Sequence, residues 1–259
     1  MNDAIILENR DYWTKRAPGY SEINREELST GQREIWRRTL VERISERFGD
    51  RKPGDIHVLE VGTGPGFFAI LLAEAGYGVT AIDLTPSMLE EARKNAGALE
   101  QQIDFMEMNA QSLTFDDARF DVILSRNVTW NLPDPELAYA EWTRVLKPGG
   151  LLLNFDANWY RYLFDGDARA AYERDRANSL DAGLDDLNVG ENFDHMEAIA
   201  MRVPLSRIQR PKWDIDVLTA MDVTATADVG VWERVWSQQE KVNLASTPMF
   251  MVAGIKNAG

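Results

Sequence analysis

A mostly parallel α/β sheet with helices on both faces is the fold class this sequence predicts, on three observations. Short apolar runs recur at 56–61, 77–82, 103–108, 120–125 and 151–155, and stretches with helical spacing separate them. The first run ends in a glycine-rich turn, Gly62-Thr63-Gly64-Pro65-Gly66. Apolar strands alternating with helices imply a parallel sheet buried on both sides, because each crossover lays a helix on one face.

The elements follow in order. Residues 1–50 read as helical and polar, with Ser29-Thr30 placed to cap a segment that carries Ile35, Trp36, Leu40, Val41 and Ile44 at helical spacing. Phe48-Gly49-Asp50 and Lys52-Pro53-Gly54-Asp55 punctuate the chain before the first strand. Helices are expected at 67–75, at 86–98 with Thr85 as cap and Pro86 at the first position, and at 134–146, closed by Lys147-Pro148-Gly149-Gly150. A helix at 213–221 and strands at 223–227 and 249–255 bring the sheet to seven strands. Residues 157–205 break the rhythm: an aromatic start at Asn158-Trp159-Tyr160, a charged helix over 165–176, then an Asp/Gly/Asn-rich stretch over 181–192. The expected division is a helical cap over 1–50, a ligand-binding core over 51–156, a helical lid insertion over 157–205 and the rest of the sheet over 206–259.

Composition narrows the function. A chain of 259 residues buries roughly three quarters of its unfolded surface and needs no covalent staples. It has no cysteine, which excludes disulfides, thiolate metal sites and a cysteine nucleophile, and fits a cytoplasmic setting. The opening MNDAIILENRDYW holds only a four-residue apolar run, too short for a secretory signal. No stretch approaches the ~20 apolar residues of a membrane span. With 28 Lys+Arg against 42 Asp+Glu, the net charge of −14 opposes binding to nucleic-acid phosphates. That acidity serves solubility or, in a sharper reading, attracts a cationic small-molecule acceptor or cofactor.

The glycine turn follows an expected strand and opens an expected helix, the setting of a nucleotide-binding loop. Asp83 ends the next strand about 20 residues on, where a carboxylate accepts hydrogen bonds from ribose hydroxyls. A dinucleotide fits poorly. The spacing is Gly-x-Gly-x-Gly, Glu60 stands two residues before the first glycine, and no Lys or Arg follows the loop to neutralise phosphate. These features suit a cationic nucleoside.

The segment resembles motif I of the class I S-adenosylmethionine-dependent methyltransferases, particularly the ubiquinone-biosynthesis C-methyltransferase-like group. The segments 81–89, 106–113, 120–127 and 146–153 resemble the four motifs that follow it, so the resemblance spans about residues 10–156. It implies a Rossmann-like fold, S-adenosylmethionine as cofactor, and methyl transfer to a small molecule. It also implies that Glu60, Gly62, Thr63, Gly64 and Gly66 form the cofactor loop, that Asp83 holds the ribose, and that Leu84 and Met88 lie beside the adenine. Asn109, Ala110, Gln111 and Arg126 complete the implied cofactor set; Asn109 stands where the family usually has Asp for the adenine amino group. Tyr12-Trp13 with Arg16-Ala17 and Tyr20 resembles the family's opening segment, which implies that Tyr12, Arg16 and Tyr20 fold over the methionine end.

Methyl transfer needs chiefly proximity and alignment. A base helps most with a hydroxyl or carbon acid, and His195 in the insertion is the candidate. Trp130 and Asn131 after the fourth core strand, and Trp159 and Tyr160 after the fifth, sit where open α/β sheets bind ligands. They are the candidate acceptor contacts, through stacking or cation–π attraction, or else anchors for the lid. Neither His nor carboxylates cluster with metal-ligand spacing, so no metal is expected. A protein methyltransferase and a non-catalytic S-adenosylmethionine-binding protein remain as alternatives, and the sequence is silent on the methylated atom and the oligomeric state.

Overall fold

The computed structural model describes residues 2–186 and 193–258. Its centre is a seven-stranded sheet in the order β3-β2-β1-β4-β5-β7-β6. The strands are β1 (His57–Val61), β2 (Gly78–Asp83), β3 (Ile103–Glu107), β4 (Phe120–Arg126), β5 (Leu146–Asp156), β6 (Val223–Asp228) and β7 (Phe250–Lys256). Strands β1 to β5 pair in parallel, and β7 enters antiparallel between β5 and β6. Strand order reverses between β1 and β4, which opens a crevice at their carboxyl ends.

The helices are α1 (Asn2–Ser29), α2 (Gln32–Phe48), α3 (Phe67–Glu74), α4 (Pro86–Ala96), α5 (Pro135–Val145), α6 (Gly166–Asp181), α7 (Phe193–Ala200), α8 (Lys212–Ala220), α9 (Val231–Val235) and α10 (Gln238–Asn243). Successive side chains along the central strands point to opposite faces. Val58, Val122, Leu124, Leu151 and Leu153 therefore join the core that includes α2 and α3, around Trp36, Phe68 and Phe155. Leu59, Ile123 and Leu152 join the opposite core, around Tyr139 and Trp142 of α5 and Leu218 of α8. Burial on both faces is why these runs lack polar alternation.

Two local expectations shift. Lys147-Pro148-Gly149-Gly150 does not end the element after α5 as a simple turn; it lies inside β5, where pairing jumps from Phe120 with Leu146 to Val122 with Leu151. Gly149, at φ +73°, absorbs the bulge. Ser29 ends α1, and α2 begins after Gly31 with no side-chain cap. Thr85 and Pro86 do stand at the start of α4, and Asp134 caps α5 by accepting from the Leu137 amide.

Residues 157–205 hold α6 and α7, with 187–192 of the Asp/Gly/Asn-rich stretch outside the described residues. Met196, Ile199 and Val203 pack with Ile5 and Tyr12 of α1 and with Trp130. The insertion thereby supports the outer side of α1.

Candidate functional site

A cleft lies at the carboxyl ends of β1, β2, β3 and β4, where open α/β sheets bind ligands. Its floor is the turn from β1 into α3. Gly62 has φ +68°, and a Cβ there would lie 2.3 Å from a methyl of Val128, so only glycine lets the two loops meet. Gly66, at φ +91°, starts α3 against Ala92 of α4, with a Cβ position 3.1 Å from the Ala92 Cβ. It serves helix packing and does not line the cleft.

Two carboxylates face this loop. Glu60 is buried and accepts a hydrogen bond from the Thr63 hydroxyl at 2.6 Å. Burial pushes its carboxyl up to about 7, with the Thr63 hydroxyl and the Arg126 charge pulling against that rise. Asp83 accepts from the Gly64 amide and the Thr85 amide, each at 2.9 Å. Burial raises its carboxyl too, and those backbone donors offset part of the rise. The two arginines that line the cleft are engaged with other acids. Arg126 makes a bidentate pair with Glu27 at 2.8 and 2.9 Å, and Arg10 pairs with Glu107 at 2.8 Å. The guanidinium of Arg126 is 4.6 Å from the Phe67 ring centroid. Burial pulls its pKa down, but the Glu27 charge and its hydrogen bonds, with Tyr20 and Glu240 adding to them, together raise it. The cleft thus presents two acids whose partners are a hydroxyl and backbone amides, the arrangement that draws a cation.

The far wall is made by Leu84, Met88 and the turn after β3. Asn109 Oδ1 accepts from the Gln111 amide at 2.9 Å, and Gln111 Oε1 accepts from the Asp134 amide at 2.7 Å. Ala110 completes this wall, and Asn131, Leu132 and Pro133 border it.

Of the residues the sequence singles out, Tyr20, Glu60, Gly62, Thr63, Gly64, Asp83, Leu84, Met88, Asn109, Ala110, Gln111, Arg126 and Asn131 come together in this cleft. Tyr12, Arg16, Gly66, Trp130, Trp159, Tyr160 and His195 do not line it. Helical phase explains the first two. The cleft face of α1 carries Ile6, Asn9, Arg10, Trp13, Tyr20 and Asn24, whereas Tyr12 turns away into the cluster with Trp130 and Met196. Trp13, not Tyr12, is the aromatic of the opening segment that accompanies Tyr20.

The acceptor aromatics are also spent elsewhere. Trp130 stacks on Tyr160 with ring centroids 5.0 Å apart, and its indole N–H donates to the Asn127 carbonyl at 2.9 Å. The Trp159 indole donates to Asp156 Oδ1 at 3.1 Å. Asn131 reaches the cleft because its neighbour is pinned: the Trp130 amide donates to Asp156 Oδ2 at 3.0 Å. His195 lies on α7, its Nε2 3.3 Å from Glu8 Oε1 on α1 and its ring edge-on to Tyr12. The roof of the cleft is α1, and no described residue of 157–205 lines it. Sequence reasoning missed Asn9 and Arg10, although Asn9 precedes Trp13 by four residues and Tyr20 by eleven, and Arg10 precedes them by three and ten, all on one helix face.

The geometry agrees with what the chain is similar to. Residues 59–154 match the family model described as a methyltransferase domain. The chain is 37% identical over 139 residues to a demethylmenaquinone methyltransferase of Thermus thermophilus, covering 53% of this chain and 60% of that protein. It is 35% identical over 136 residues to a ubiquinone/menaquinone biosynthesis C-methyltransferase of Roseobacter denitrificans, covering 51% and 52%. The matches therefore span about half the length of these curated relatives. A chain from the complex between the Haloferax volcanii Trm112 methyltransferase activator and a candidate methyltransferase shares the fold, with a TM-score of 0.60 at 15% identity over 95% of this chain and 98% of that one. Among the described residues, no helix is long and apolar enough to cross a membrane.

Proposed function

The chain carries, in residues 59–154, a domain of the class I S-adenosylmethionine-dependent methyltransferases, and from that premise we propose that it methylates a small-molecule acceptor. The observation that carries the reading is the pair of acids in a cleft whose arginines are already engaged. A ligand with an ammonium and a sulfonium gains there what a phosphate would lose. Glu60 and the Gly62–Gly64 turn would hold the aminoacyl end, Asp83 the ribose, and Leu84, Met88 and the 109–111 turn the base. When bound, the cofactor supplies an activated methyl group that an acceptor lone pair takes in line, leaving a neutral thioether.

The protein's own contribution is positioning. Thr63 ties Glu60 to the loop, its amide donates to the Ile82 carbonyl at 2.9 Å, and Asp83 ties the loop to β2, so the donor site is preset. The helix α1 covers one side of the cleft with Ile6, Asn9, Arg10, Trp13, Tyr20 and Asn24. That cover and the net charge of −14 favour a small molecule over nucleic acid or a folded protein. The relatives' names make quinone precursors the first acceptors to assay.

The test is transfer of label from methyl-labelled cofactor to a metabolite extract and to demethylmenaquinone, with the product identified by mass. A labelled small molecule formed by the wild type and abolished by Asp83→Ala is expected. Calorimetry in which S-adenosylhomocysteine fails to bind the wild type overturns the reading.

A further inference from the structure

Arg126 is the contested charge of the cleft. It stands at the end of β4 and lines the cleft together with Glu60, whereas its partner Glu27, near the end of α1, does not line it. Arg126 Nη1 and Nη2 donate to Glu27 Oε1 and Oε2 at 2.8 and 2.9 Å. The Asn24 side-chain N–H, one turn earlier on α1, donates to Glu27 Oε2 at 3.2 Å and steadies that carboxylate. The guanidinium also lies 4.6 Å from the Phe67 ring centroid and 5.1 Å from that of Phe68. A planar fork with a carboxylate on one edge and aromatic rings beside it is held in a single orientation.

Glu27 and Glu60 compete for this guanidinium, and the outcome sets the charge of the cleft. Glu27 has it through the bidentate pair. Glu60 feels it at longer range, since the Arg126 charge pulls on the Glu60 carboxyl. A third acid, Glu240, also acts on Arg126, but its Oε2 already accepts from the Ser237 amide at 2.7 Å and from Gln32 Nε2 at 2.6 Å. Glu60 has the Thr63 hydroxyl at 2.6 Å, a neutral partner that leaves its charge uncompensated. With Glu27 in place, Arg126 and Glu27 cancel as a pair. Without it, the same guanidinium would neutralise Glu60 and repel an incoming ammonium. Because Glu27 does not border the cleft, its effect reaches a ligand only through Arg126.

We propose that Glu27 sets the charge preference of the cleft: by holding Arg126 it leaves Glu60 as the counter-charge for the cofactor's ammonium. The inference rests on the cofactor reading above and makes Glu27 a specificity-determining residue that acts from outside the cleft. A like charge set against a ligand's cation costs affinity, which is how a charged site excludes the wrong partner.

Calorimetry at about pH 8, where Glu60 is ionised, with S-adenosylhomocysteine and with its analogue lacking the amino group tests this without reference to turnover. The wild type should prefer the amino compound by about tenfold or more. In Glu27→Gln the preference should fall to about one to three. In Glu27→Gln/Arg126→Gln, where the cation is gone as well, it should return to about tenfold or more. Removing both members of a buried pair leaves no lone charge, so the double variant decides the matter if the single one does not fold. A general loosening of α1 weakens both ligands alike and leaves the ratio unchanged, so an unchanged ratio in Glu27→Gln overturns the proposal. A low ratio in the double variant overturns it too, since Glu27 would then act through something other than Arg126. A wild-type ratio near one overturns it before any variant is made. Failure of the wild type to bind S-adenosylhomocysteine at all is a different result and removes the cofactor reading itself.

Discussion

Two groups of buried charge flank the carboxyl end of the sheet, and they are built on opposite principles. Around β1 and β2, Glu60 and Asp83 are hydrogen-bonded by hydroxyls and backbone amides, the nearby cation Arg126 being paired with Glu27, and burial holds both carboxyls above their ordinary values. Beyond β5, Arg210 is fully enclosed with Asp156 and Asp214. Its Nη1 donates to Asp156 Oδ2 at 2.7 Å, its Nε to Asp214 Oδ2 at 2.9 Å, and its Nη2 to Thr129 Oγ1 at 2.7 Å. Tyr139 O–H donates to Asp214 Oδ1 at 2.6 Å. Burial alone would lower the Arg210 pKa, and the two aspartates reverse that and raise it. On the proposed reading the difference separates scaffold from site: charges matched inside the protein hold it together, and Glu60 and Asp83, without a paired cation, are the ones a cationic ligand would meet.

The largest expected effect lies on the matched side. Arg210→Met removes the cation and keeps the bulk, leaving two buried aspartates without a counter-charge. Loss of one partner of a buried pair costs about 3–5 kcal/mol, which for a chain of this size lowers the melting temperature by some 10 °C. Affinity for S-adenosylhomocysteine, measured where the variant is still folded, should stay within about threefold. A variant that melts like the wild type would make the cage dispensable and break the contrast.

On the unmatched side the signs exchange. Asp83→Ala should weaken S-adenosylhomocysteine binding by at least about tenfold, since hydrogen bonds to a charged group contribute ~1.5–3 kcal/mol each. Its melting temperature should fall by only a few degrees, because the Gly64 and Thr85 amides lose their acceptor while the desolvation of the buried carboxylate is relieved. Unchanged affinity by calorimetry in a folded Asp83→Ala would take Asp83 out of the site.

Glu60 sharpens the same contrast through pH. Its folded carboxyl, at about 7 against 4.5 unfolded, binds its proton more tightly in the folded chain. The resulting stability is full below 4.5 and is lost as pH rises through about 7, a total of roughly 3 kcal/mol. An ammonium-bearing ligand reverses this preference, so affinity for S-adenosylhomocysteine should rise about tenfold between pH 6 and 8 and then level. Glu60→Gln should flatten both profiles. A pH-independent affinity in the wild type would mean that Glu60 meets no cation.

The unmatched side was the legible one. A glycine turn between strand and helix, with acids at fixed distances from it, is a local pattern, and Glu60, Gly62, Thr63, Gly64 and Asp83 come together as such patterns require. The matched side is nonlocal. Arg210 and Asp156 are 54 residues apart, and nothing in either neighbourhood announces the other. The aromatics were misplaced for a related reason: Trp130 and Asn131 are adjacent, and only the Asp156 hub decides which of them turns to the cleft. The roof failed on phase, since choosing Tyr12 over Trp13 rotates a helix face by about 100°. α10 was readable and missed, because Ser237 and Glu240 form a capping box with its sequence spacing in plain view.

His195 tests a third kind of charge, neither matched in the core nor open to the cleft. Its Nε2 lies 3.3 Å from Glu8 Oε1, and Glu8 Oε2 accepts from Arg202 Nη2 at 2.6 Å. The Arg202 hydrogen bond is the main reason the Glu8 carboxyl sits below its ordinary range, with His195 adding to it. The histidine therefore duplicates a contact between α7 and α1 that Arg202 already makes, at a partly exposed position where such pairs contribute ~0–1 kcal/mol. His195→Ala should shift the melting temperature by no more than a few degrees and leave kcat and cofactor affinity within about threefold. Loss of a general base would cost 10²–10⁴-fold in rate, so the two readings are far apart. A hundredfold fall in kcat with KM and melting temperature unchanged would return His195 to the chemistry and require α7 to bring it into the cleft with the acceptor bound.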